Sequence, residues 1–347
     1  MPRQDNKSRW RNIAIASLVP VFLSGAAEAQ QAPGPQSERV RLPDAVKRAL
    51  PAVVALKATI PRTARSAETL GTERAGHGVL IDDSGLVLTV GYLVMEAEAV
   101  EVIEAGGRRV SATVLAYDYE SGFGLLRTAL PLRANALPFG DSDVLKFRDV
   151  VTVAGHGGEE MAQRAVVVDR REFAGYWEYL LENAVFTSPP YGLFGGAALL
   201  SDEGNLLGIG SLFVGDAYRA HGGTLPGNMF IPINRLKPII AVMKEGKRPP
   251  TSKPWIGVYT QEVDGRLVIA YVSPDSPADK AGLRRGDIIR DVGGSEVEEV
   301  ADFYRKLWAT GNSGTVVTLG IERDGVAEDV PVRSIDRYRY LKLDSSL

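Results

Sequence analysis

The chain has 347 residues, 45% hydrophobic and 24% charged, with a net charge of −3, enough for two or three domains with separate cores. It has no cysteine, which excludes disulfides, thiolate nucleophiles and cysteine-based metal sites. Its three histidines (His77, His156, His221) are scattered without ligand spacing, so no metal and no cofactor is expected, and the absence of basic runs excludes a nucleic-acid partner.

At the N-terminus, Arg3, Lys7, Arg9 and Arg11 precede a short apolar stretch from Ile13 to Ala26, and Ala27-Glu28-Ala29 reads as a cleavage site. Residues 1–29 are therefore expected to be a signal peptide cleaved after Ala29, exporting the chain to a bacterial periplasm. An inner-membrane anchor is the alternative, but the stretch, broken by Pro20, is shorter than the ~20 residues a bilayer requires. Residues 30–37 are Pro/Gln-rich and expected to be a disordered lead-in.

Leu42 to Leu50 predicts a short helix stopped by Pro51, and Ala52-Val53-Val54-Ala55-Leu56 begins a strand. From Gly78 to Ile240 short apolar or alternating runs are punctuated by Gly, Asp and Pro about every ten residues, the signature of an all-β barrel or sandwich. Residues 244–254 form a charged, Pro-rich linker. Beyond it lie Trp255-Ile256-Gly257-Val258, then Ser276-Pro277-Ala278-Asp279-Lys280-Ala281-Gly282-Leu283-Arg284-Arg285-Gly286-Asp287-Ile288-Ile289, a helix over Val300 to Thr310 and a return strand over Thr315 to Glu322. Residues 336–347 are left as a tail.

Four motifs carry a resemblance. Gly192-Leu193-Phe194-Gly195-Gly196 resembles the Gly-Asn-Ser-Gly-Gly turn of HtrA-type, trypsin-like serine proteases. The segment from Gly76 through Tyr92 to Val94 resembles that family's strand and histidine loop, and Asp118 to Leu126 its aspartate segment. The run from Ser276 to Ile289 is similar to the family's PDZ motif. The resemblance implies a mostly β chain: a trypsin-like double six-stranded β-barrel over residues 38–243, followed by a PDZ domain over residues 255–335.

It also puts Tyr92, Gly122 and Phe194 at the histidine, aspartate and serine positions of the triad. A phenyl ring cannot attack a carbonyl, a phenol is a poor base near neutral pH, and glycine orients nothing. The expectation is therefore a catalytically inactive homologue, not an enzyme. The alternative is an active serine endopeptidase with relocated residues, drawn from Ser188, Ser201, Ser211, His156, His221, Asp118 and Asp216. Gly192, Leu193 and Phe194 would be the remnant of an oxyanion hole, with the Phe194 ring expected to fill the vacated cleft as core, or else a pocket surviving there.

In the PDZ domain the resemblance implies a peptide groove. The amides of Ile256, Gly257 and Val258 would receive a C-terminal carboxylate, and Trp255, Ile256 and Val258, with Phe303 and Leu307, are its candidate walls. The ending Asp344-Ser345-Ser346-Leu347 itself resembles a PDZ ligand. Expected partners are unfolded or C-terminal segments of other proteins, an active paralogue, and further copies of the chain in a homotrimer. The resulting role is that of a scaffold, chaperone-like holder or regulator.

Overall fold

In the computed structural model, residues 41–220, 222–247 and 252–341 are described. The signal-peptide and lead-in expectations fall outside them, as do His221, residues 248–251 of the linker, and the tail from residue 342 onward.

The first six strands are β1 (Val53–Thr59), β2 (Glu73–Asp82), β3 (Leu86–Val90), β4 (Ala99–Ile103), β5 (Arg109–Tyr117) and β6 (Phe123–Thr128), closed in the order β1-β2-β3-β6-β5-β4. Closure leaves no edge in this sheet. Leu86-Val87-Leu88-Thr89-Val90 is buried on both faces, which explains its run of apolar and β-branched residues without alternation. β4 instead alternates, burying Val100 and Val102.

A second closed barrel runs β10-β11-β12-β9-β8-β7, from β7 (Val150–Ala154), β8 (Ala162–Gly175), β9 (Tyr179–Ser188), β10 (Ala198–Leu200), β11 (Leu206–Ala220) and β12 (Gly223–Pro232). The expected double six-stranded barrel is the architecture observed. The β8–β9 hairpin is long, and Tyr176, Trp177 and Glu178 form its tip, with Glu178 at φ +53.

The third sheet contains β13 (Val258–Val263), β14 (Arg266–Val272), β15 (Ile288–Val292), β16 (Ser295–Glu296), β17 (Val316–Arg323) and β18 (Val326–Arg333), in the order β13-β14-β15-β17-β18 with β16 beside β15. β13 is thus an edge strand. The helices are α1 (Asp44–Ala49), α2 (Ala67–Leu70), α3 (Ile240–Lys244), α4 (Pro277–Lys280), α5 (Val300–Ala309) and α6 (Arg337–Tyr340). α4 starts where Ser276 accepts a hydrogen bond from the Asp279 amide and Pro277 takes the first turn, where a missing N–H costs nothing. α5 buries Val300, Phe303, Tyr304 and Leu307, the i, i+3, i+4, i+7 stripe of an amphipathic helix.

The described residues from Leu42 onward form one compact unit, and side chains join the third sheet to the barrels. Arg65 pairs with Asp275 at 2.7 Å, Lys253 with Glu120 at 2.9 Å, and Arg305 on α5 with Glu172 on β8. On α6 the Tyr338 hydroxyl donates to the Tyr117 carbonyl at 2.9 Å, and Arg337 donates to the Trp177 carbonyl at 3.2 Å.

Candidate functional site

Two places claim attention: the cleft between the barrels and the sheet edge formed by β13. In the cleft Tyr92 links the other two degenerate positions. The Gly91 amide donates to the Gly122 carbonyl at 2.7 Å, which sets Tyr92 beside Gly122. The Tyr92 hydroxyl donates to the Ser211 carbonyl at 2.8 Å, and a Cβ built on Gly195 would lie 3.1 Å from the Tyr92 oxygen. Tyr92 thus reaches across to the turn that follows Phe194. Burial raises its pKa, so the phenol stays protonated.

Phe194 is half-buried and lies outside the buried core, whereas the sequence reading expected it to be core. The oxygen of Tyr92 sits against Gly195. The turn survives for backbone reasons. Gly196 has φ +76, and a Cβ there would meet the His77 carbonyl oxygen at 1.9 Å.

Sequence reading treated the histidines as scattered, yet the fold brings two of them together. The His77 ring accepts at Nδ1 from the His156 amide at 3.1 Å, which leaves its proton on Nε2. That fixes the neutral tautomer. Burial, reinforced by His156 nearby, pushes the His77 pKa down to about 4.

Among the described residues the relocated candidates are not assembled. Ser188 donates to the Pro226 carbonyl, and Ser201 accepts from the Asn205 amide. Ser211 is buried with its carbonyl held by Tyr92. The His156 Nε2 lies 3.0 Å from the Glu104 carbonyl. Asp118 accepts from the Ser121 amide and Asp216 pairs with Arg219. Among the described residues no hydrogen bond joins one of these serines to His77 or His156. No group of three or more His, Asp or Glu among them is placed to hold a metal.

At the third sheet the geometry is a carboxylate site. Backbone N–H groups of Ile256, Gly257 and Val258 donate to the Glu178 carboxylate at 3.2, 2.6 and 3.1 Å. Gly257 makes this possible: it has φ +89, and a Cβ there would sit 2.4 Å from the Ser276 Cβ. Ile256, Val258, Phe303 and Leu307 lie in the domain core, no more than 1% exposed, and the Trp255 ring packs against Tyr340 with centroids 4.5 Å apart. Glu178 was not anticipated. The only signal in the sequence was its place in a turn between two strand-like runs.

Glu178 is 2% exposed. Burial pushes its pKa up to about 7, against the opposing pull of the three N–H groups and of the Arg337 charge. A hydroxyl completes the site. Tyr304 on α5 accepts from the Glu178 amide at 2.9 Å and donates to the Gly175 carbonyl at 2.7 Å.

Two family models match this chain: the trypsin-like peptidase domain over residues 76–209 and the PDZ domain over residues 254–333. Among curated proteins it is similar to the periplasmic serine endoprotease DegP of Escherichia coli strain K12, 27% identical over 267 residues, which is 72% of this chain and 54% of that protein. It is likewise similar to the periplasmic pH-dependent serine endoprotease DegQ of the same strain, 26% identical over 92% of this chain and 76% of that protein. The chain thus spans about half the length of DegP. Among solved structures, the HtrA-type protease AlgW with decapeptide shares the fold at 22% identity and a TM-score of 0.50, over 84% of this chain and 98% of that one.

These relatives overturn the expectation that the chain is not an enzyme. They are named serine endoproteases, and so point to a protease. That expectation rested on the side chains at positions 92, 122 and 194 alone.

Proposed function

Because this chain is an HtrA/DegP-family homologue, a trypsin-like peptidase domain followed by a PDZ domain, we propose that it engages polypeptides and takes their C-terminal ends at the PDZ groove. One observation supports this above the others: three consecutive N–H groups, from Ile256 to Val258, converge on a carboxylate at the sheet edge formed by β13. A peptide that adds a strand to this edge would bring its terminal carboxylate to the same donors. Titrating the protein with a fluorescent peptide library, each member as free acid and as C-terminal amide, tests the reading. Binding selective for the free acid supports it; no binding, or binding indifferent to amidation, removes it.

A second reading is favoured by the names of the relatives: cleavage of polypeptides as a serine endoprotease. Tyr92, Gly122 and Phe194 supply neither nucleophile nor imidazole, so a peptidase here draws on other residues. Incubation with casein, together with a serine-directed fluorophosphonate probe, decides it. Turnover abolished by a single serine substitution supports cleavage; absence of both labelling and turnover refutes it. A periplasmic location and a homotrimer, or mixing with a paralogue, belong to this proposal. Fractionation and sedimentation test them.

A further inference from the structure

We propose that the tip of the β8–β9 hairpin is a built-in ligand of the PDZ groove, so that a polypeptide C-terminus binds only after the tip has left. The inference rests on the reading of this groove as a peptide site and concerns how that site is controlled.

The tip is laid along β13 as an added strand is. The Val258 amide donates to the Glu178 carboxylate at 3.1 Å, and the Thr260 amide to the Tyr176 carbonyl at 3.0 Å. A step of two residues forward on β13 thus answers a step of two residues back on the tip, the spacing and sense of an antiparallel partner. The side-chain carboxylate of Glu178 stands where the terminal carboxylate of a bound chain would stand. From the opposite wall, Tyr304 grips the tip at the Gly175 carbonyl and the Glu178 amide.

Burial and conformation argue that this seat is built for the tip. Hairpin ends ordinarily face solvent, and glutamate is almost never fully buried unless its oxygens are paired. Here Glu178 is buried with both oxygens paired, in the left-handed backbone region that non-glycine residues rarely adopt. Every donor that an external carboxylate would need is taken, and two carboxylates cannot share these N–H groups. Entry of one requires departure of the other.

The test compares the full chain with its Glu178→Gly variant. Glycine suits the φ of +53 and removes the carboxylate, so the variant is expected to fold. Peptides are presented as free acid and as amide, and amide hydrogen exchange is followed at Ile256, Gly257, Val258 and Thr260. If the seated state holds all but about 1–10% of molecules, freeing the groove tightens the apparent affinity about tenfold to a hundredfold. Selective tightening for the free acid, with faster exchange at those four amides and unchanged exchange in the barrels, is the expected result. Equal affinity of the two proteins for the free acid overturns the inference while leaving the peptide-site reading intact. Unchanged exchange at the four amides overturns it too, whatever peptide is used. Failure of both proteins to bind any free-acid peptide removes the peptide-site reading, and the inference with it.

Discussion

Raising the pH should loosen the grip of Glu178 on the groove. The Glu178 pKa is about 7 in its buried seat against an ordinary value of 4.5. The seated form therefore keeps a proton between these values that the released form has lost. Its advantage is complete below about pH 4.5 and is lost as pH rises through 7. A difference of about 2.5 pKa units is worth about 3 kcal/mol, an upper bound of a few hundredfold in the seating equilibrium. The groups facing Glu178 are Arg337, Tyr304 and Tyr259, with Tyr119, Tyr179, Glu120 and Lys253 around the small cavity beside it. Burial raises the pKa of all four tyrosines, so they do not ionise in this window. Fluorescence anisotropy from pH 5 to 8, with a free-acid peptide lacking Asp, Glu and His, reads the effect. Affinity should climb with pH by at least tenfold in the native chain, and stay flat in Glu178→Gln, whose neutral amide imitates the protonated acid. A flat profile in the native chain, or an equal slope in Glu178→Gln, would refute the assignment.

The other expectations are simpler. Tyr304→Phe keeps the ring but leaves the Gly175 carbonyl and the Glu178 amide without their partner, at about 1–3 kcal/mol each; peptide affinity should rise, measured in the same titration. Gly257→Ala forces a Cβ against Ser276 at a positive φ, so thermal unfolding should show a loss of about 1–3 kcal/mol and peptide binding should vanish. Gly196→Ala drives a Cβ into the His77 carbonyl and should destabilise the barrels by a similar amount, about 1–3 kcal/mol, with no change in exchange at Ile256 to Val258.

Architecture was legible where local chemistry decides it. Turn glycines spaced among β-branched runs announced the barrels, and Ser276-Pro277 announced the start of α4. Positions 92, 122 and 194 were found by motif; in the fold Tyr92 lies beside Gly122 and reaches the turn that follows Phe194. Contacts between distant segments were not legible. His77 and His156 meet across 79 positions, and Glu178 reaches Gly257 across another 79, pairings that no period in the sequence encodes. The reach of Tyr92 to the Ser211 carbonyl is of the same kind, spanning 119 positions.

The return of α6 to the first barrel sets how this protein comes apart. Arg337 holds the hairpin through Trp177, Tyr338 holds β5 through Tyr117, and Tyr340 donates to Pro274 at 3.0 Å, next to the Asp275 that Arg65 binds. Swinging the PDZ domain aside together with α6 would break the Arg65, Arg337 and Tyr338 contacts at once, whereas lifting the hairpin tip breaks only its own few bonds. The C-terminal module is therefore not a bead on a string: it and the barrels should melt together, and the smallest motion that clears the groove belongs to a loop.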